Sequence, residues 1–193
     1  MARLEGVIPS WDHFEGARIS PVLPKGCRRS EVYNQHRTSK SYDFQKSQNS
    51  ILRTIESKAA DATGLLEFQV EPIQVVKYEP GEKADLHHDA GTIIEGAGEG
   101  EGELTIQLPK SELPVRVATC FIYVNDMPDG EGCTVFPQLN LSVTPRRRSA
   151  LVFSNITEDG LLDPRTVHEA RPPLSQRNVG FNVWVTDRAQ REQ

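Results

Sequence analysis

The sequence predicts a mainly β domain, a sandwich or barrel supported by one helix. Three observations predict it: one stretch with apolar residues at helical spacing, a series of short β-like runs after Glu71, and turn residues between those runs.

Residues 1–43 mix Pro, Gly and basic residues without a clean period, which reads as an N-terminal extension of loops holding at most a short strand. Within 44–65, Ile51, Ile55, Ala59, Ala62 and Leu65 recur at three- and four-residue steps, so this segment is the supporting helix, closing near Gly64. Residues 73–78 are strand-like and stop at Pro80 and Gly81, a turn signal. Further strands are expected over 116–125, 134–136, 141–144, 150–153 and 178–186. Asp129 with Gly130, Pro137, Pro145, Asp159 with Gly160, and Pro172 with Pro173 separate them. The run EGAGEGEGE at 95–103 combines high backbone entropy with self-repulsion, so 91–112 is expected to form a mobile Gly/Glu loop.

A chain of 193 residues suits a single domain over 1–193, with its catalytic core over 70–187. Hydrophobic residues at 37% and charged residues at 25% fit a globular protein rather than a disordered one. The longest apolar run lies near 117–124, far short of the roughly 20 residues of a membrane helix, so no membrane association is expected. The N-terminus, with Glu5 and Asp12, does not read as a secretory signal. Cys27, Cys120 and Cys133 are odd in number and irregular in spacing, against a disulfide framework or a cysteine zinc site. A net charge of -5 argues against a nucleic-acid partner. A cytoplasmic location is the expectation.

The chemistry concentrates at His87-His88-Asp89 and the later His168. On an extended segment, residues two apart share a side, so His87 and Asp89 point together. One histidine from a distant strand would complete a facial set of two imidazoles and a carboxylate, the arrangement of non-heme Fe(II) oxygenases with open positions opposite. Taken alone, a His-x-Asp triplet is equally a surface pair or a hydrogen-bonded core histidine. His88 faces the other side, where a packing or solvent role is expected.

The run QVVKYEPGEKADLHHDAG resembles the prolyl 4-hydroxylase-like branch of the 2-oxoglutarate- and Fe(II)-dependent dioxygenases, with Tyr78 and Gly81 preceding the His-x-Asp triplet. The resemblance continues through RVATCFIYVNDMPDGEGCTVFPQLNLSVTPRRRSALVFSN and ends in DPRTVHEARPPLSQRNVGFNVWV. Upstream, Arg37-Thr38-Ser39 looks similar too, so the match covers roughly 35–187. It implies a double-stranded β-helix, or jelly roll, flanked by helices.

By this resemblance His87, Asp89 and His168 are the iron ligands, and Fe(II), 2-oxoglutarate and O2 take part, with ascorbate as a further cofactor. The distal carboxylate of 2-oxoglutarate requires a buried cation. Part of the family places a Lys ten residues after the distal His, where this chain has Asn178; Arg177, nine after, matches the oxygen-sensing branch and is the expected clamp. Tyr78 and Thr134 match positions that assist that carboxylate. Arg116 and Trp184 match positions that contact peptide substrate. Three departures stand out: Ala84 replaces the family's tyrosine near the reacting carbon, Arg148 replaces a usual Gly, and Cys133 stands where an acidic residue is common.

The implied reaction hydroxylates an unactivated C–H bond, releasing succinate and CO2, with a prolyl residue of a protein or peptide as the expected substrate. Ala84 and the acidic loop motivate an oxygenase acting on a free amino acid or another small molecule. A non-catalytic jelly-roll module that keeps a metal site is the alternative from a different class.

Overall fold

The computed structural model describes residues 37–95, 104–108 and 114–189. Most of the 1–43 extension, Cys27 and the Gly/Glu centre of the acidic segment lie outside them. The described chain is mainly β with one α-helix. Its elements are β1 (Lys40–Asp43), α1 (Ser50–Thr63), β2 (Gln74–Tyr78), β3 (Ala84–His87), β4 (Thr92–Glu95), β5 (Leu104–Gln107), β6 (Arg116–Tyr123), β7 (Thr134–Phe136), β8 (Leu141–Val143), β9 (Ser149–Ser154), β10 (His168–Ala170) and β11 (Asn178–Thr186).

Helix α1 starts where Asn49 Oδ1 accepts the Leu52 backbone N–H at 3.0 Å, and it ends at Gly64, whose φ of 69° lets its N–H reach the carbonyls of the last turn. Its stripe of Leu52, Ile55, Ala59 and Ala60 is buried against the large sheet. That sheet has the order β1-β2-β11-β6-β9, every neighbouring pair antiparallel.

Strand alternation divides the sheet's two faces. Val179, Phe181, Val183 and Val185 of β11, with Ala118, Cys120 and Ile122 of β6, join the helix in the main core. The other face meets a second sheet of order β3-β10-β7-β8. Val76 and Tyr78 of β2 cluster there with Ala84 of β3, against Phe121 and Ala170. Tyr123 and Thr134 exchange a 2.9 Å hydroxyl bond between the sheets, and Phe136 meets Phe153 edge-on at 5.1 Å. Burial on both sides explains why eight of the nine residues of β11 are buried. Gly180 sits under this contact: a Cβ there would come within 2.3 Å of the Phe121 ring, so only Gly lets the two strands pack as they do.

The expected helix begins at Ser50 rather than 44, and the strands expected at 134–136 and 178–186 occupy those residues. The flanks of the 91–112 segment are strand rather than loop. Thr92 pairs with Gln107 and Glu95 with Leu104 in a separate two-stranded ribbon, because 92–94 and 104–106 alternate enough apolar residues to pair. Neither main sheet closes on itself among the described residues. No helix of the described residues is long and apolar enough to cross a membrane.

Candidate metal centre and its cleft

Three side chains meet at one end of the space between the sheets. Strand β3 pairs antiparallel with β10, and the register sets His87 opposite His168. Their rings lie 4.3 Å apart, and Asp89, just past the end of β3, completes the group. One ligand atom from each lies within 4.8 Å of the others. Asp89 Oδ1 is 3.6 Å from His87 Nε2 and 4.0 Å from His168 Nε2.

Hydrogen bonds fix which nitrogen each histidine presents. His87 Nδ1 lies 2.8 Å from the Asp85 carbonyl, and His168 Nδ1 lies 2.9 Å from the Thr166 carbonyl. A carbonyl can only accept, so each Nδ1 carries the proton and donates it, leaving the Nε2 lone pairs turned toward Asp89. Asp89 is oriented in the same manner: Thr119 Oγ1 donates to Oδ2 at 2.6 Å, and Asn155 Nδ2 donates to Thr119 at 3.0 Å. Oδ1 therefore remains for an ion. Two imidazole lone pairs and one buried carboxylate oxygen form a donor set that fits a divalent first-row metal.

Electrostatics agree with that assignment. Burial pushes the Asp89 carboxyl up, but the His168 and His87 rings and the Thr119 hydroxyl outweigh it and hold the group well below the usual carboxylate range. Burial lowers the His168 imidazole to about 4, despite the attraction of Asp89. For His87 the burial effect is overcome by the Asp89 carboxylate and the Asp85 carbonyl, and its value is raised.

Of the packing and solvent roles expected for it, His88 takes the first. It is 5% exposed, its Nδ1 accepts the Ala90 N–H at 3.2 Å, and its Nε2–H reaches Thr166 Oγ1 at 3.2 Å. Thr166 Oγ1 in turn donates to the Asp163 carbonyl at 2.9 Å, which closes a neutral, satisfied chain.

The triad opens on a cleft of about 310 Å³ between the sheets. Tyr78, Thr134, Arg116 and Trp184 all line it. Arg116 is held by a bidentate pair with Glu71, 2.8 Å on each oxygen, and lies 3.7 Å over the Trp184 ring. Trp184 Nε1 is buried with no acceptor among the described residues. Arg177 departs from expectation: it is exposed, one residue before β11, and does not line the cleft. Its neighbour Asn178 is the buried one, donating from Nδ2 to the Gly132 carbonyl at 3.1 Å.

Sequence reasoning gave no role to Thr119, Asn155, Gln74 or Asn182 and noted Arg37 only as part of a motif. Inward parity on β6 and β11 was the available signal for Thr119 and Asn182; Asn155, beyond a strand end, offered none.

No family model matches the chain. Curated relatives do. Probable prolyl 4-hydroxylase 3 of Arabidopsis thaliana is 29% identical over 168 residues, which cover 77% of this chain and 54% of the relative. Prolyl 4-hydroxylase subunit alpha-1 of Gallus gallus is 30% identical over 155 residues, covering 80% of this chain and 28% of the relative. The chain is similar to prolyl 4-hydroxylases along about four fifths of its length.

It spans about half the length of the plant relative and about a quarter of the avian one. Solved structures share the fold. The viral collagen prolyl hydroxylase of Paramecium bursaria Chlorella virus-1, in its 2OG complex, superposes with a TM-score of 0.62 at 23% identity, covering 78% of this chain and 80% of that one. A Pseudomonas putida prolyl-4-hydroxylase gives 0.53 at 15% identity, with 83% and 77% covered. Set among prolyl 4-hydroxylase-like chains, the Gly-to-Arg departure at 148 has a local meaning. Arg148 has φ of 65°, in the left-handed region where Gly is unstrained.

Proposed function

We propose that this protein is a 2-oxoglutarate- and Fe(II)-dependent dioxygenase that hydroxylates a prolyl residue of a protein or peptide, with release of succinate and CO2. The observation that carries the reading is the pair of fixed Nε2 lone pairs, His87 and His168, converging with Asp89 Oδ1. An iron ion in that set would supply the activation of O2 needed to attack an unactivated C–H bond. The two open sheets are read as the halves of a double-stranded β-helix.

The protein's own residues supply position and exclusion. Tyr78 and Thr134, both buried, offer neutral hydroxyls to 2-oxoglutarate on the far side of the cleft. Phe136 and Phe153, with ring centroids 5.3 and 5.2 Å from that of His168, keep the imidazole dry and in one orientation. Arg116 and Trp184 are assigned to the substrate, Trp184 through an indole N–H that needs an acceptor. Glu71 joins them by holding Arg116 flat over that ring.

One observation favours a second reading, oxygenation of a free amino acid or other small molecule: Ala84 lines the cleft where the family carries tyrosine. The intact triad weighs against a non-catalytic module. A cytoplasmic setting is proposed on cysteine chemistry, since Cys120 and Cys133 are buried free thiols.

The test is succinate release from 2-oxoglutarate by Fe(II)-loaded protein, with ascorbate, in the presence and absence of a proline-rich peptide. Peptide-dependent succinate and a mass gain of one oxygen on proline are expected. Turnover with free amino acids alone would favour the second reading, and no turnover over a broad substrate panel would sink both.

A further inference from the structure

Resting on that reading, we infer that Arg37, rather than Arg177, supplies the cation that receives the distal carboxylate of 2-oxoglutarate. A dianionic co-substrate drawn into a cleft between two sheets leaves one carboxylate away from the metal, and burying it without a positive partner is costly. The cleft offers two guanidinium groups, Arg37 and Arg116. Arg116 already has its charge matched by Glu71, through both carboxylate oxygens at 2.8 Å, and its face covered by Trp184.

Arg37 meets only neutral groups among the described residues. Its Nε donates to Ser39 Oγ and its Nη2 to Gln74 Oε1, each at 3.0 Å, and its charge acts on the nearby Tyr78 hydroxyl. Those contacts aim the planar fork without cancelling its charge. Arg37 also forms a bridge with Ala84, so the small side chain at 84 leaves room beside it. The entry to β11 offers the opposite: Arg177 is exposed outside the cleft, and the buried Asn178 keeps an amide oxygen, an acceptor, without a partner among the described residues. A carboxylate placed against that oxygen would be repelled.

The experiment measures binding rather than turnover. Protein loaded with Mn(II) without oxygen is titrated calorimetrically with 2-oxoglutarate and with 2-oxopentanoate, which has the same chain length and lacks the distal carboxylate. Arg37→Gln is expected to weaken 2-oxoglutarate by about 10- to 100-fold and to leave 2-oxopentanoate and Mn(II) binding unchanged. Arg177→Gln is expected to stay within about 2-fold for both acids. Loss of 2-oxoglutarate preference in Arg177→Gln, with that preference kept in Arg37→Gln, would overturn the assignment. Where melting curves show that Arg37→Gln does not fold, Arg37→Met, which keeps the apolar stem and removes the charge, decides. A several-fold drop in the preference supports the assignment, and an unchanged preference refutes it. A wild-type protein that binds both acids equally would remove the anchor but keep the keto-acid site. One that binds Mn(II) and neither acid would overturn the dioxygenase reading itself.

Discussion

His87 and His168 are partners across the β3–β10 pairing, and each ties its Nδ1 to the carbonyl two residues before it. The same local device, used twice on antiparallel strands, turns both Nε2 atoms to one point. The metal centre is therefore a consequence of strand register. A slip of one residue would turn one imidazole to the opposite face of the sheet.

That geometry separates His88 from its neighbour. His87→Ala or Asp89→Ala should abolish stoichiometric metal binding, measured by equilibrium dialysis with elemental analysis. His88→Ala should keep the metal and lose about 1–3 kcal/mol of stability in denaturant unfolding, because Thr166 and the Ala90 N–H lose a buried partner. Equal loss of metal in all three would mean that His88 is a ligand.

Thr119 is expected to act on the metal without touching it. Thr119→Val removes the donor to Asp89 Oδ2 while keeping the shape, and metal affinity should fall about 10- to 100-fold. Thr119→Ser should restore most of it. A valine variant with wild-type affinity would show that the buried carboxylate is oriented by packing alone.

Metal affinity should depend on pH in two steps. A protonated imidazole has no lone pair to give, so each protonation competes with the ion. His87 is raised above 6.5, so affinity should fall by one proton's slope as pH drops through that region and below. His168, lowered to about 4, adds a second proton only near there. Metal titrations from about pH 4 to about pH 8 check both the order and the sign. Affinity flat across the upper region would contradict the raised His87.

Arg148 stands at φ 65° at the start of β9, and its N–H bonds the Tyr123 carbonyl at 3.2 Å. Arg148→Gly removes a left-handed strain without touching that bond, and should stabilise the protein by about 0.5–1 kcal/mol in urea unfolding, with no change in metal binding. A destabilised glycine variant would mean that the arginine side chain contributes more than the backbone strain costs.

Much of this was legible in the order of residues. The helix followed from the spacing of Ile51, Ile55 and Ala59, and its end from Gly64. Strand periodicity, a local rule, set His87 and Asp89 on one side, and the resemblance to the family motifs added His168 as the third candidate ligand. That Arg177 lies outside the cleft was not legible in the sequence, for a physical reason. Strand β11 is covered by the helix on one face and by the second sheet on the other, so burial no longer alternates along it and its sequence does not say which face Asn178 takes. Parity along β6 could place Thr119 inward but not beside Asp89, and Asn155 gave no signal, because their roles depend on an aspartate 30 or more residues away.

The sequence by itself determined the β-rich class, the helix after Asn49 and the motifs that hold the candidate ligands, since each depends on neighbours along the chain. Only the tertiary structure decided which face of each strand meets the cleft, that Arg177 stays outside it and that Arg37 lies within, because those depend on how two sheets are brought together.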